Sequence, residues 1–319
     1  MKPYEDLAKS FNALITYLEN SVTTEGFAER TFYGEAYAAC CFEQQNKQLL
    51  VQKSLQGFAH KHAQHEAARD HHEFHLYALY RLKDKKLVEN YLSLNFPRPL
   101  KEKPTNWILL RTLAYLHYGT HWQRLLWIII SCLTLMFNQR NGLFLDRRIG
   151  RILLGDTRED YQSHQYHAFI LVLLSNLYDV TGLSWYANWF SKGIHYLKNQ
   201  ILENGKIVPK GRGQDQLFGY ANTLYALAWD YRQHGSKESL HALERVVHYL
   251  QGFQKSDGSF PLVLCKHDDK SNWETYNNLF DYLPFTALMM QESINLLQTD
   301  KKNKQTTLPL SEELQADMH

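Results

Sequence analysis

Three turns built to one pattern recur along this chain and constrain its fold more than any other feature. The segments FNQRNGLFLD (137–146), LKNQILENGKIVP (197–209) and GFQKSDGSFP (252–261) each leave an amphipathic stretch and pass a Gln and an Asn-Gly or Asp-Gly pair. Each then enters a short apolar extended piece. Gly142, Gly205 and Gly258 mark them, at intervals of 63 and 53 residues, and a fainter copy surrounds Gly26 in TTEGFAER (23–30). Intervals of that size hold two helices of roughly 15–20 residues and two connections. A period in this range is the signature of stacked supersecondary units.

Between the turns, apolar residues return at three- and four-residue steps, with little of the alternation that marks strands. The pattern predicts twelve helices, over 4–19, 33–46, 48–62, 71–83, 85–95, 105–119, 121–138, 162–181, 185–202, 215–234, 237–255 and 274–296. Gly182 and Gly235 stop two of them, and Pro97, Pro99 and Pro104 break the chain between the fifth and sixth. Twelve helices make six hairpins, and six hairpins side by side close into a ring with no unburied end to cap. The expected fold is therefore all-α, an (α/α)6 toroid with one helix of each pair inside. YGEAYAACCF, YHAFILVLLSNLY and YANTLYALAWDY, apolar and rich in small residues, suit the inner places. One domain is expected over 1–299, and the tail, 300–319, loses periodicity and reads as a flexible terminus.

Composition narrows the partners. Formal charge is +2, from 35 basic and 33 acidic residues without a long basic block, so no nucleic-acid footprint is expected. Cys40, Cys41, Cys132 and Cys265 lack the spacing of a zinc knuckle or a disulfide framework and read as reduced, buried thiols. The N-terminus reads as an amphipathic helix and not a signal peptide, which makes a cytoplasmic location the expectation. The most apolar run, Leu125 to Phe137, is 13 residues long, short of the roughly 20 a bilayer span needs. It is expected as a buried core helix, with membrane contact as the alternative.

The N-termini of the even-numbered helices carry polar clusters. These hold Glu29, Arg30, Tyr33 and Glu35; Asp70, His71, His72, Glu73 and His75; Asn106, Trp107 and Arg111; and Asp156, Arg158, His164, Gln165, Tyr166 and His167. The last two hold Arg212, Gln214, Asp215 and Gln216, then Asn272, Trp273, Glu274, Tyr276, Asn277 and Asn278. Singly, each cluster reads as helix capping or a solvated loop. A toroid brings all six to one rim, where a concave site forms. Trp107, Trp273 and Tyr276 are suited to stack on sugar faces, and Asn106, Asn277 and Gln216 to bond hydroxyls. Arg30, Arg111, Arg158 and Arg212 are suited to grip carboxylates or sulfates. An acidic polysaccharide or oligosaccharide fits all three groups.

Two other patterns invite ligands and are read otherwise. In HKHAQHEAARDHHEFHLYALY (60–80), His71 and His75 share a helix face, as two imidazole ligands would, yet no third ligand has a recognisable spacing. No metal is expected; a hydrogen-bonded histidine at a helix entry and an acid–base or charge-neutralising histidine are the two readings. GRGQDQ (211–216) is Gly-rich but follows no strand, so it is no phosphate cradle. Gly211 and Gly213 instead let the backbone turn tightly so that Arg212, Gln214 and Gln216 face the cavity.

Two segments carry a family resemblance. GFQKSDGSFPLV (252–263) resembles the Gln-Asp-Gly-Ser-Phe turn common to (α/α) toroids. QSHQYHAFILVLLSNLYDVTG (162–182) is similar to the Ser-x-x-Tyr-His segment that opens an inner helix in heparinase II/III-type polysaccharide lyases. The resemblance implies β-elimination on a uronate-containing glycan without a cofactor. Tyr166 and His167 match the Tyr-His pair, with Tyr166 the proton-transfer group, and His71 or His72 stands where the group that neutralises the uronate carboxylate is expected. Asn106 and Arg212 are further donors to that carboxylate, and Arg158 would hold a neighbouring one. The residues leave alternatives open. A glycoside hydrolase would draw two carboxylates from Glu35, Asp70, Glu73, Asp156, Asp215, Glu274 and Asp281. A sugar epimerase and a non-catalytic glycan-binding protein are the others.

Overall fold

The computed structural model describes residues 2–29, 31–64, 70–96, 103–148, 151, 159–212, 215–264 and 278–298. They form eleven α-helices: α1 (Lys2–Ser21), α2 (Gly34–Gln44), α3 (Gln48–Gln64), α4 (His72–Leu79), α5 (Thr105–Tyr118), α6 (His121–Asn138), α7 (His164–Thr181), α8 (Ser184–Lys198), α9 (Leu217–His234), α10 (Lys237–Gln251) and α11 (Leu279–Gln298). About 70% of the described residues are helical. Among the described residues, the sheet content is a two-residue hairpin, β1 (Gln139–Arg140) with β2 (Leu143–Phe144), and four isolated bridges. Local chemistry sets several helix ends. Thr120 and Gln123 form a reciprocal capping box at the start of α6, Ser163 caps α7, and left-handed glycines, Gly182 and Gly235, end α7 and α9.

Six helices form a closed inner ring: α2 packs on α4, α4 on α5, α5 on α7, α7 on α9, α9 on α11, and α11 back on α2. Outside them, α3 packs on α2, α6 on α5, α8 on α7, α10 on α9, and α1 on α11. The two ends of the chain thus supply one helix pair. The sixth outer place corrects the sequence reading, because the helix expected over 85–95 is two 3-10 turns, Lys85–Leu87 and Glu89–Tyr91. The Asp84 side chain accepts from the Lys86 N–H and closes a tight first turn. Within 85–91 only Val88 is fully buried, and the inner partner α4 is just eight residues long, too short a surface for a full outer helix.

The recurring glycines explain the ring's spacing. Gly26, Gly142, Gly205 and Gly258 all have φ between +84° and +92°, a region that strains other residues. Each follows an outer helix and presses on the next one round. A Cβ on Gly142 would lie 2.9 Å from the Lys192 carbonyl oxygen of α8, and one on Gly205 would lie 2.0 Å from that of Arg245 on α10. At Gly258 the obstacle is Ala13 of α1, at 2.3 Å, and Gly26 abuts Gly57 of α3. The repeat seen in the sequence is therefore a spacer, on one side of the ring. On that side the segments leaving outer helices pair with the entries to inner ones: Pro104 bridges Arg148, and Gln216 bridges Val263.

Aromatic side chains plug the bore. Phe74 stacks on Phe169 at 5.8 Å, Phe169 meets Phe218 edge-on at 5.0 Å, and Phe285 lies 4.8 Å from Phe218 and 5.2 Å from Tyr37. Each such contact adds about 0.5–1.5 kcal/mol beyond the area it buries. Cys40, Cys41 and Cys132 are free thiols within the buried core, and burial pushes the Cys40 thiol up to about 12, which keeps it protonated. Cys265 and the tail from 299 lie outside the described residues.

Candidate functional site

The N-terminal ends of the inner helices surround a cavity of about 250 Å³. All six contribute: Phe32 and Tyr33 before α2, His71 and Phe74 at α4, Asn106 and Trp107 in α5, Tyr166 in α7, Phe218 in α9, and Asp281 and Tyr282 in α11. Lys103, Asp146, Arg148, Tyr161 and Arg212, from the segments between the helices, add to the wall. Phe74 and Phe218, the upper members of the aromatic plug, face the cavity and make it blind.

Its charged side chains are held in place by one another. One Arg212 guanidinium nitrogen donates to Asp146 Oδ2, and the guanidinium carbon lies 4.5 Å from the centroid of the Tyr166 ring. Asp146 Oδ1 accepts from the backbone N–H of Asn106 at 3.1 Å, so one carboxylate caps α5 and anchors the arginine over the tyrosine. Asp281 plays the same part for α2. Its Oδ1 accepts from the N–H groups of Phe32, Tyr33 and Gly34 at 2.8–2.9 Å, and Asn278 donates to Oδ2 at 2.9 Å. Burial outweighs those bonds and pushes the Asp281 carboxyl up to about 6. Burial also raises the Tyr33 hydroxyl well above its ordinary value, so it remains a donor.

Aromatic faces line the rest. His71 stacks on Phe32, centroids 4.5 Å apart and planes within 6°, and lies 5.4 Å from Trp107. The Lys103 ammonium sits 3.5 Å from the centroid of a Trp107 ring, bringing positive charge to a surface suited to a sugar. Asn106 is 1% exposed, yet its buried carboxamide oxygen, Oδ1, has no hydrogen-bond partner among the described residues. Arg148 is exposed at the mouth and makes no ion pair among the described residues.

Of the candidates read from the sequence, His71, Asn106, Trp107, Tyr166 and Arg212 meet at this cavity. Four others lie elsewhere. His72, one position on from His71, is turned away by the helix and bonds the Ser93 carbonyl oxygen through Nε2 at 2.5 Å. His167 is fully buried: Nδ1 accepts from the Phe144 N–H and Nε2 donates to the Gly193 carbonyl, and burial drives its imidazole down to about 3. Arg111 pairs with Glu73 inside the protein, Nε 3.2 Å from Oε1, and its guanidinium lies 4.3 Å from the centroid of the Phe96 ring. Gln216 is buried at the start of α9, its backbone bridged to Val263. Arg30, Arg158, Trp273, Tyr276 and Asn277 lie outside the described residues, as do Gly213 and Gln214. His75, the other half of the suspected metal pair, is buried with Nε2 on the Phe32 carbonyl oxygen at 2.7 Å. No cluster of three or more metal-ligating side chains occurs among the described residues.

Asp146, Lys103, Arg148, Tyr161 and Tyr282 were not among the sequence candidates. Asp146 ends the first of the recurring turns, FNQRNGLFLD, so the repeat itself pointed to it. Of the carboxylates weighed for hydrolysis, Asp281 is at the cavity. Glu35 is spent on the Thr31 hydroxyl and the Phe27 N–H, and Glu73 on Arg111 and Lys103.

No protein-family model matches the chain, and no curated protein does. Solved structures match almost all of it. A protein from Listeria innocua is 14% identical, covering 91% of this chain and 97% of its own, with a TM-score of 0.66. A GH76 α-mannanase from Bacteroides thetaiotaomicron is 9% identical over 91% of this chain and 96% of its own, TM-score 0.63. An unsaturated glucuronyl hydrolase from Streptococcus agalactiae is 14% identical over 91% and 90%, TM-score 0.58. Similar structures also include a polysaccharide lyase and a cellobiose 2-epimerase. The likeness is one of fold: this chain shares the (α/α)6 toroid of carbohydrate-active enzymes whose reactions differ from one another.

Proposed function

We propose that the cavity takes the uronate-bearing end of an acidic glycan and cleaves it by β-elimination, with Tyr166 as the proton-transfer group. The observation that carries this reading is the Asn106 carboxamide, at the cavity wall with its buried oxygen unpaired among the described residues. A buried amide oxygen without a partner costs about 1–3 kcal/mol, and a ligand hydroxyl donating to Oδ1 would satisfy it while the neighbouring carboxylate accepts from Nδ2. Arg148 at the mouth and Arg212 inside favour an anionic sugar. The cavity lies just below the roughly 300–1,000 Å³ usual for small-molecule sites, which suits the end of a chain or a short oligosaccharide.

In the proposed reaction, Asn106 and the arginines draw charge from the carboxylate, which makes the C5 proton acidic. Tyr166, acting as its phenolate beside the Arg212 guanidinium, takes that proton, a C4–C5 double bond forms, and the bond from C4 to the departing oxygen breaks. The same hydroxyl returns the proton to the leaving oxygen. The presence of a polysaccharide lyase among the similar folds is in keeping with this reading.

One observation favours hydrolysis instead. Asp146 and Asp281 share the cavity, and Asp281, pushed up to about 6, would carry a proton part of the time near neutrality, as a general acid must. A panel of uronate oligosaccharides, read for near-ultraviolet absorbance and for new reducing ends, separates the two. Elimination raises both signals, hydrolysis raises reducing ends alone, and loss of absorbance from an unsaturated substrate would indicate action on the elimination product. Tyr166→Phe should lower the rate about a hundredfold or more under the first reading while retaining binding. Near-normal turnover in that variant would overturn it.

A further inference from the structure

Outer helix α6 is apolar on both sides. Trp127, Ile128, Cys132 and Leu135 face the core, as the sequence led us to expect of the whole run from Leu125 to Phe137. The opposite face is bare: Trp122, Leu126, Ile129, Leu133, Met136 and Phe137 are 48–77% exposed. They recur at three- and four-residue steps and so form one stripe along a helix about 27 Å long. Helix α8 continues the patch, because Ser131 of α6 bonds the Tyr186 hydroxyl at 2.7 Å and the adjacent Trp185 is 41% exposed. Contiguous apolar surface on this scale marks an interaction site.

Charge indicates what covers it. About one residue in ten of the chain is Asp or Glu, yet the 33 residues of α6 and α8 contain none. Arg140 and Lys192 are exposed at one end of the patch, where the Asn141–Gly142 turn packs against the Lys192 backbone, and neither makes an ion pair among the described residues. No helix of the described residues is long and apolar enough to cross a membrane. An apolar helix face with a tryptophan at one end, free bases at the other and no acid along it has the chemistry of a surface-lying membrane anchor. We infer that α6, with the edge of α8, docks this protein on an anionic lipid surface. The bases lie on the side of the ring where the cavity opens, so docking holds the mouth beside the bilayer. The inference is independent of the reaction carried out in the cavity.

The test uses the full chain with vesicles of phosphatidylcholine alone or with phosphatidylglycerol, read by co-sedimentation, and analytical ultracentrifugation of the free protein. The expected result is binding to the anionic vesicles that weakens with salt, from a protein monomeric in solution. Arg140→Gln with Lys192→Gln should weaken partitioning on the order of thirtyfold, about fivefold per charge. Leu126→Gln with Leu133→Gln should abolish it with circular dichroism unchanged. Failure of the wild-type chain to bind anionic vesicles at low salt overturns the proposal. So does a stable dimer that those leucine substitutions dissociate, since the face would then belong to a second copy.

Discussion

Replacing Arg111 with Met keeps most of the side chain's volume and removes the guanidinium that pairs with Glu73. Glu73 is fully buried, and the partner left to it would be the Lys103 ammonium at 3.2 Å. Removing one member of a buried ion pair costs about 3–5 kcal/mol, and with Lys103 still present the lower end, about 3 kcal/mol, is expected. At roughly 2.1 cal/mol/K per residue, the unfolding entropy of a chain of 319 residues is about 0.7 kcal/mol/K. Calorimetry should therefore show Tm lowered by about 4–5 °C. Because Arg111 does not line the cavity, affinity for a uronate oligosaccharide, titrated below the transition, should change by less than about twofold. An unchanged Tm with affinity lost about tenfold or more would overturn this assignment and restore Arg111 as a ligand for the sugar.

Asn106→Leu should act in the opposite sense, raising stability by about 1–2 kcal/mol in denaturant titration while removing glycan binding, since it deletes a buried amide oxygen that has no partner among the described residues. Lowered stability with binding intact would contradict that. Gly205→Ala should destabilise by at least about 1–2 kcal/mol, read as a lower Tm, because it puts a Cβ at φ +84° against the Arg245 carbonyl oxygen. Stability should also fall in mild acid. The His167 imidazole, held down to about 3 by burial, is neutral when folded, so the unfolded chain binds the extra proton. The stability this group contributes is full above about pH 6.5 and is lost as pH falls from there toward 3. At pH 5 the loss is about 2 kcal/mol. A urea midpoint that did not fall from pH 7.5 to pH 5 would contradict this.

The sequence carried the ring because its signals are local. A turn that needs φ near +90° needs glycine, and four such turns can be counted without knowing what they touch. The expected helix over 85–95 failed because length and burial depend on a partner, and its partner α4 spans only eight residues. Periodicity placed α6 but did not say that half its apolar residues would face outward, since apolar character does not name the surface that covers it. At the site, His71 and His72 are adjacent, and the helix turn that sends one to the cavity and the other to Ser93 is set by tertiary packing. Arg111 looked like a ligand because Glu73, which claims it, lies 38 residues away on the neighbouring inner helix. Asp146, in a loop after α6, caps α5, and Asp281 of α11 caps α2, arrangements that appear once the ring is closed.

Whether the cavity binds a uronate through Asn106 is decided by a crystal structure of the protein with a uronate-terminated oligosaccharide. The expected complex has the sugar carboxylate within hydrogen-bonding distance of the Asn106 carboxamide or the Arg148 guanidinium, a ring face against Trp107, and the C5 hydrogen directed at the Tyr166 hydroxyl. Sugar bound at another surface, or in this cavity with its carboxylate turned away from Asn106 and both arginines, would contradict it.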